Sequence, residues 1–357
     1  MVPRRSPDLV QALRAVAPGT ALREGLDRVL KAKMGALIVV GDGPEVLNIC
    51  SGGFLLDAAF SPQRLSELAK MDGAIILASD ASRIARANVH LVPDPNVPTS
   101  ETGTRHRTAE RVARSIGVPV ISVSEDLSII AVYVRSEKHP LEDIPRLLNR
   151  ANQAQQALER YKNRLDSVSG ALSALEVEDL VTLRDVLAVL QRTEMVMRIA
   201  DEIAGYIVEL GVDGRLVRLQ LDEQLGGIEE DGRLVVRDYF ADDARSIEMI
   251  MNSLGALDTD ELVDLRAVAA AAVHPEGAAA DLDAAVQPRG HRLLSKIPRL
   301  PDNVIESVVE RFGTLHKIMR ATIDDLVDVE GVGTARARAI KDGLSRLAES
   351  SILDRYS

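Results

Sequence analysis

The sequence predicts a three-part chain: an α/β N-terminal domain with a mixed central sheet flanked by helices (1–140), an all-α spine and linker (141–288), and a C-terminal domain of paired helical hairpins (289–357). Three observations carry this reading. Short β-branched runs alternate with turn and helix signals through the first 140 residues. From Pro140 to about Leu210, apolar residues recur at three- and four-residue spacing, interrupted by few glycines. Two helix–turn–helix patterns then close the chain.

The N-terminal strands are expected at Gly35–Gly41, Gly73–Ser79, Arg86–Val92, Val118–Ser124 and Ser128–Val134. Between them, SPQRLSELAK (Ser61–Lys70) reads as a helix with Ser61 as N-cap and Pro62 at its first position. Strands alternating with helices give an α/β domain with a mixed sheet. The helical run from Pro140 to Leu210 reads as bundle packing, and as a spacer between two functional domains. Residues 211–285 contain acidic turns such as GVDGRLVRLQ and EEDGRLVVRDYF. The Ala-rich stretch AVAAAAVHPEGAAADLDAAVQPRG reads as a linker ahead of the last domain.

Composition bounds what the chain can be. Its 357 residues suit two or three domains, and aromatics make up only 3% with no Trp, so the cores must be aliphatic. Cys50 is the only cysteine, which excludes an internal disulfide framework and a cysteine-based zinc site; it follows an apolar strand pattern and reads as an inert thiol. No apolar run approaches the ~20 residues that span a bilayer, so no membrane partner is expected. The opening MVPRRSPDLVQAL lacks the apolar segment of a signal peptide, and the expected location is the cytoplasm.

The formal charge of −11 is unevenly spread. Asp222–Asp283 holds 16 acidic and 4 basic residues, whereas Arg289–Glu349 holds 11 basic and 9 acidic. An acidic total therefore does not argue against a polyanion partner for the C-terminal domain.

Two places concentrate positive charge near a helix start. In TSETGTRHRTAERVARS, a helix is expected with Ala109, Val112, Ala113 and Ile116 as its buried stripe. Arg105, His106 and Arg107 then fall in its first turn, where each cation costs roughly 0.3–1 kcal/mol against the helix dipole. An anion held by the helix amides and the guanidinium groups offsets that cost, and a polyphosphate offers enough oxygens for the arginines, His106 and the hydroxyls of Thr104 and Thr108. The alternative is a solvated basic patch paired with Glu101 and Glu110. In LVDVEGVGTARARAIKDGLSRL, Gly331-Val332-Gly333 makes a tight turn before a helix starting at Thr334. Glycine at both turn positions allows positive φ and close approach of a ligand. The following amides, with Arg336, Arg338 and Lys341, can hold phosphate oxygens. This segment resembles the helix-hairpin-helix motif, a binder of DNA backbone; its degenerate first copy surrounds Pro298-Arg299-Leu300-Pro301. Gly331, Gly333, Thr334 and Arg336 are the expected DNA contacts, and a hairpin for protein contact is the alternative.

Asp72-Gly73-Ala74 is by itself most simply a turn. Paired with GTRHRTAER at 103–111, it resembles the diadenylate cyclase domain, and the chain as a whole resembles the DNA integrity scanning members of that family. The resemblance spans nearly all 357 residues. It implies condensation of two ATP molecules into cyclic di-AMP and two pyrophosphates, in a site formed by two facing domains. It places Asp72 beside the attacking hydroxyl as catalytic carboxylate and ligand of Mg²⁺ or Mn²⁺, and Gly73 where the nucleotide comes close to the chain's backbone. Thr104, Arg105, His106 and Thr108 would hold the phosphates, with Arg105 and His106 catalytic. Arg107 would touch ATP or serve the dimer or fold. Leu91 would pack on adenine or stay in the core, and Ser124 would reach a phosphate. The implied assembly is a homo-octamer associated with the nucleoid, with branched or junction DNA as ligand and recombination or repair proteins as further partners. A second reading keeps the same residues in a DNA-binding scaffold whose pocket senses ATP without turning it over.

Overall fold

A computed structural model describes residues 5–125, 128–240, 246–273 and 281–355. The chain forms two compact units. One gathers the chain up to Gln153 with Glu202–Gln220; the other gathers Ala154–Asp201 with the chain from Leu221 onward.

The first unit holds α1 (Pro7–Ala15), α2 (Ala21–Lys31), β1 (Ala36–Val40), α3 (Pro44–Asn48), β2 (Cys50–Ser51), β3 (Phe54–Ala59), α4 (Pro62–Leu68), β4 (Ala74–Leu77), β5 (Arg83–Leu91), α5 (Thr104–Ile116), β6 (Val120–Ser124), β7 (Ile129–Val134) and β8 (Glu137–Pro140). Among the described residues the strands form one sheet in the order β2-β5-β4-β1-β6-β7-β8, with β3 paired to β5. β1 and β4 run parallel and the other pairs antiparallel, so the sheet is mixed as expected.

Strand alternation explains why the central strands read as continuous apolar runs. In β1, Ile38 and Val40 enter a core under α1, α2 and α4 with Leu13, Leu26 and Leu65. Leu37 and Val39 enter the opposite core with Ala109, Val112 and Ala113 of α5. Ser61 caps α4 by accepting the Arg64 amide at 3.2 Å, with Pro62 at the first helical position. Cys50 is half-buried, its Sγ donates to the Val46 carbonyl at 3.2 Å, and burial pushes the thiol pKa up, which fits an inert role.

Long helices follow: α6 (Ile144–Glu178) and α7 (Leu183–Leu210), then a 3₁₀ turn at Gly211–Gly214, α8 (Arg215–Leu225), α9 (Ile228–Tyr239), α10 (Ile247–Ala256), α11 (Thr259–Val263) and α12 (Leu265–Ala272). This corrects three expectations. EEDGRLVVRDYF is no turn but lies in α9. Its Gly232 marks close helix packing, since a Cβ there would meet Thr193 Cγ2 at 2.8 Å. GVDGRLVRLQ likewise forms the 3₁₀ turn and most of α8. The Ala-rich stretch is not simply a linker. Its first part is the end of α12, with Val268, Ala269 and Ala272 buried, and Ala285 forms an antiparallel bridge with Thr182. Residues 274–280 of that stretch lie outside the described residues.

The C-terminal helices α13 (His291–Ser295), α14 (Asp302–Phe312), α15 (Leu315–Arg320), α16 (Ile323–Val327) and α17 (Thr334–Arg355) share one aliphatic core that includes Ile297, Val308, Leu326, Val332 and Ile340. The two hairpin turns are built alike. Leu300 N–H donates to Ile297 O at 3.4 Å and Val332 N–H to Val329 O at 3.0 Å. The residue between carries positive φ in both, +64° at Arg299 and +80° at Gly331. The degenerate copy therefore keeps the turn and forces an arginine into a left-handed conformation that costs roughly 1–2 kcal/mol.

A buried polar cluster fastens α13 to α6 and α9. The Asp238 carboxylate accepts the backbone N–H groups of Gly290, His291 and Arg292 at 2.9, 2.7 and 2.9 Å, and the His291 ring nitrogen Nδ1 lies 2.8 Å from it. The Arg292 side chain is fully buried and pairs with Glu176 at 2.7 Å, while Ser173 and Ser169 take further N–H groups. The Tyr239 hydroxyl completes the cluster by donating to Glu176 at 2.9 Å.

Candidate functional site

A cleft of about 460 Å³ opens on the α5 face of the sheet. Such a volume suits a nucleotide-sized ligand. Gly73, Leu91, Thr104, Arg105, His106, Thr108 and Ser124, all expected from the sequence, line it together with Leu37, Ala74, Val89, His90, Gly103 and Glu125. Asp72 and Arg107 are not among the lining residues. Asp72 is exposed one residue before Gly73 at the entry to β4, and Arg107 is exposed on the first turn of α5.

Gly73 is required by its backbone. Its φ is +111°, and a Cβ would meet the Asn88 carbonyl carbon at 2.8 Å and Val89 N at 3.0 Å. The carboxylate-bearing turn is thus pressed against β5, where the β4–β5 register shifts and Asn88 itself takes φ +54°. Leu91 is 6% exposed, belongs to the core as one of its sequence readings had it, and also forms part of the cleft wall.

Helix α5 begins directly after Gly103, which offers no side-chain acceptor to the first amides. The Arg105 guanidinium lies over Gly35, close enough that a Cβ there would collide with it. The Thr108 hydroxyl donates back to the Thr104 carbonyl at 2.9 Å. His106 is half-buried, and burial holds its pKa below the ordinary histidine value, with Lys138 and Arg105 adding to that effect and Glu101 opposing it.

The other basic residues of the stretch do structural work. Arg111 Nε donates to the Val97 carbonyl at 3.0 Å and Arg114 to the Pro98 carbonyl at 2.7 Å, bracing the loop before α5. Glu110 is buried on the same helix and accepts Thr99 Oγ1 at 2.5 Å and Ser100 N–H at 2.9 Å, with Arg114 at 2.7 Å. Burial opposes its charge, but those donors prevail and hold its pKa below the usual carboxylate value. Glu110 serves the loop, and Glu101, paired with Lys138 at 2.6 Å, acts on the first turn only by favouring the charged form of His106.

Sequence reasoning missed Tyr133, Glu101 and Lys138 as a group beside His106. The Tyr133 hydroxyl lies 2.9 Å from His106 Nδ1 and donates to Glu101 Oε1 at 3.3 Å. The available signal was a lone tyrosine in the apolar strand IIAVYV, since a buried phenol needs a partner.

The second candidate site is the turn before α17. Gly331 takes φ +80°, Val332 packs into the core, and Thr334 and Arg336 are exposed beside it. Gly333 does not need its glycine for positive φ, correcting the expectation for both turn positions; nothing lies within 4 Å of its missing Cβ, so the approach to the helix amides stays open. Arg336 folds back to the Gly331 carbonyl at 2.6 Å. Lys341 is committed elsewhere, donating to the Met319 and Ala321 carbonyls at 2.7 and 2.8 Å at the end of α15. Among the described residues, no three acidic, histidine or cysteine side chains cluster as a metal site, and no helix is long and apolar enough to cross a membrane.

Comparison with known families assigns each part. Residues 23–138 match the nucleotide-binding model of the DisA bacterial checkpoint controller, 141–280 match its linker region, and 314–343 match the helix-hairpin-helix motif. The DNA integrity scanning protein DisA of Acidothermus cellulolyticus is 58% identical over 348 residues, covering 96% of this chain and 94% of that protein. The protein of the same name from Kineococcus radiotolerans is 56% identical over 359 residues, covering 99% of this chain and 100% of its own. That of Streptomyces avermitilis is 56% identical over 349 residues. With its nucleotide-binding domain, helical linker and helix-hairpin-helix motif in this order, the chain belongs to the DisA family of DNA integrity scanning proteins.

Proposed function

We propose that the chain is a diadenylate cyclase: it joins two ATP molecules into cyclic di-AMP, releases two pyrophosphates, and answers to branched DNA bound at its helix-hairpin-helix domain. The observation that carries this reading is the gathering of Gly73, Thr104, Arg105, His106, Thr108 and Ser124 around one nucleotide-sized cleft at an uncapped helix N-terminus. In each half-reaction a 3′-hydroxyl oxygen bonds to the α-phosphorus of the facing ATP. The bond from that phosphorus to the bridging oxygen breaks, pyrophosphate departs with its electron pair, and the hydroxyl proton is lost.

Leu91 bounds the base, and the Gly73 backbone bounds the nucleotide beside it. Thr104, Arg105, His106 and Thr108 face the polyphosphate and offset charge as pyrophosphate leaves. Ser124 sits at the end of β6 on the same cleft. Asp72, exposed one residue before the lining Gly73, meets the incoming hydroxyl and favours its deprotonation. Asp72 beside the pocket and Glu125 on its lining, both exposed, fit a hard divalent cation carried by the nucleotide, Mg²⁺ or Mn²⁺, rather than a protein-built cage. Held at Asp72, such an ion would supply charge neutralisation and a lowered hydroxyl pKa. Arg107, exposed and off the cleft, serves the surface where two domains face each other. A site shared by two chains requires assembly, and a homo-octamer is the expected form; recombination or repair proteins are its expected neighbours at the nucleoid.

The deciding experiment incubates the chain with ATP and Mg²⁺, Mn²⁺ or Co²⁺, with and without junction DNA, and looks for cyclic di-AMP by mass. Product is expected, at a rate that junction DNA changes. ATP binding with no product under any of the three metals would leave the chain an ATP-sensing DNA scaffold.

A further inference from the structure

The Tyr133 hydroxyl, 1% exposed on β7, stands between a histidine and a carboxylate. It has one hydrogen to give. An ionised Glu101 can only accept, and Lys138 Nζ holds that carboxylate at 2.6 Å. The phenol therefore donates to Glu101 and turns a lone pair to His106 Nδ1 at 2.9 Å. Burial and the neighbouring Glu101 push the Tyr133 pKa up, so the phenol keeps its hydrogen. Lys138 faces Tyr133 across the β7–β8 register and stands 5.8 Å over its ring.

We propose that Tyr133 and Glu101, braced by Lys138, are positioning residues for His106: they fix its neutral ring with hydrogen on Nδ1, so that Nε2 is the nitrogen that meets the polyphosphate and takes up a proton as the anion binds. This rests on the cyclase reading only for the identity of the anion. A neutral ring locked this way offers a lone pair at Nε2, which repels phosphate oxygens. Protonation turns the same atom into a charged donor, with Nδ1–H still held by Tyr133. Glu101 favours that cation, Lys138 and Arg105 oppose it, and His90 and Glu125 line the same cleft.

The test is ¹⁵N NMR of the full chain with labelled histidines and no nucleotide present. The chain has six histidines, and His106→Gln identifies the signal. The wild-type ring is expected neutral near pH 8, with hydrogen on Nδ1. Tyr133→Phe should release the tautomer, so that Nε2–H becomes populated, and Glu101→Gln should move the His106 midpoint to lower pH. A wild-type ring with bare Nδ1 overturns the proposal, as does a tautomer unmoved by Tyr133→Phe. If Tyr133→Phe fails to fold, Glu101→Gln keeps the packing and decides by the midpoint alone. In the product assay, Tyr133→Phe should lower kcat roughly 10–100-fold, the worth of a hydrogen bond to a charged group, with KM for ATP changed less. A locked tautomer in a chain that makes no cyclic di-AMP would sink the cyclase reading and leave this inference standing. Product from a chain with a free tautomer would do the reverse.

Discussion

Two helices of this molecule begin with related residues and face opposite surroundings. Helix α5 starts Gly103-Thr104-Arg105-His106-Arg107, and α17 starts Gly333-Thr334-Ala335-Arg336-Ala337-Arg338. Each follows a glycine, so the first amides lack a side-chain acceptor. Each puts arginine where the dipole disfavours it. The α5 turn is sunk beside a sheet, with Arg105 and His106 half-buried in a cleft, while Thr334, Ala335 and Arg336 of α17 stand exposed. The same electrostatics thus suits a small polyphosphate held from several sides in one place and an extended polyanion touched from one side in the other. Concavity, rather than charge, separates the two helix starts.

The largest expected effect breaks one site and spares the other. Asp72→Asn should lower cyclic di-AMP production roughly 10²–10⁴-fold, the range for a lost acid–base group, while a non-hydrolysable ATP analogue and junction DNA still bind. Loss of nucleotide binding in that variant would make the aspartate structural. Next, the exposed hairpin depends on a buried mounting. Arg292→Ala leaves Glu176 and Ser173 without their partner and should cost about 3–5 kcal/mol in chemical denaturation of the helical unit. A cost below 1 kcal/mol would mean that the cluster contributes little. Arg336→Ala should weaken DNA binding and reduce the slope of log affinity against log salt by about 1, with nucleotide binding unmoved.

Acidity should separate the two helix starts further. His106 is held below the ordinary histidine value of 6.5, so near and below that pH the unfolded chain binds the extra proton more readily than the folded one. Its contribution to stability therefore declines as pH falls through 6.5 and levels off below the folded value. A bound polyphosphate favours the cation, so its affinity should rise over the same range. The first turn of α17 carries arginine and no histidine, so its DNA affinity should follow salt far more than pH between 6 and 8. Equal pH slopes for the two ligands would contradict the contrast. The smallest effect concerns the paired turns: Arg299→Gly relieves a left-handed arginine at φ +64° and should stabilise the domain by about 1 kcal/mol or less, read as a small rise in Tm.

The fold was legible where burial imposes a period. The central strands and α4–α5 fall within a few residues of their sequence limits because each buries apolar side chains in a regular pattern. Strand β3 gave no such signal: Phe54 and Leu55 are exposed, so its alternation carries no burial. Helix α9 looked like a turn because a glycine that fits against Thr193 has the same letter as one that reverses the chain. At the site, the arginine-rich turn and Asp72-Gly73-Ala74 are short motifs and were readable. Arg111 and Arg114 of the same stretch brace the preceding loop through the Val97 and Pro98 carbonyls, a role that only the folded loop reveals. Tyr133, Glu101 and Lys138 could not be read as a set, because β7, a loop and β8 bring them together only in the folded sheet.

The buried pair of Arg292 and Glu176 carries a consequence for descent. The two residues lie 116 positions apart in the chain and are both fully enclosed. A lineage that loses either one alone passes through a form with an unpaired charge in its interior, so the positions are free to drift only together. Across the family they should change as a couple or not at all, and a chimaera joining one member's linker to another's hairpins should fold only where both inherit matching ends of that pair.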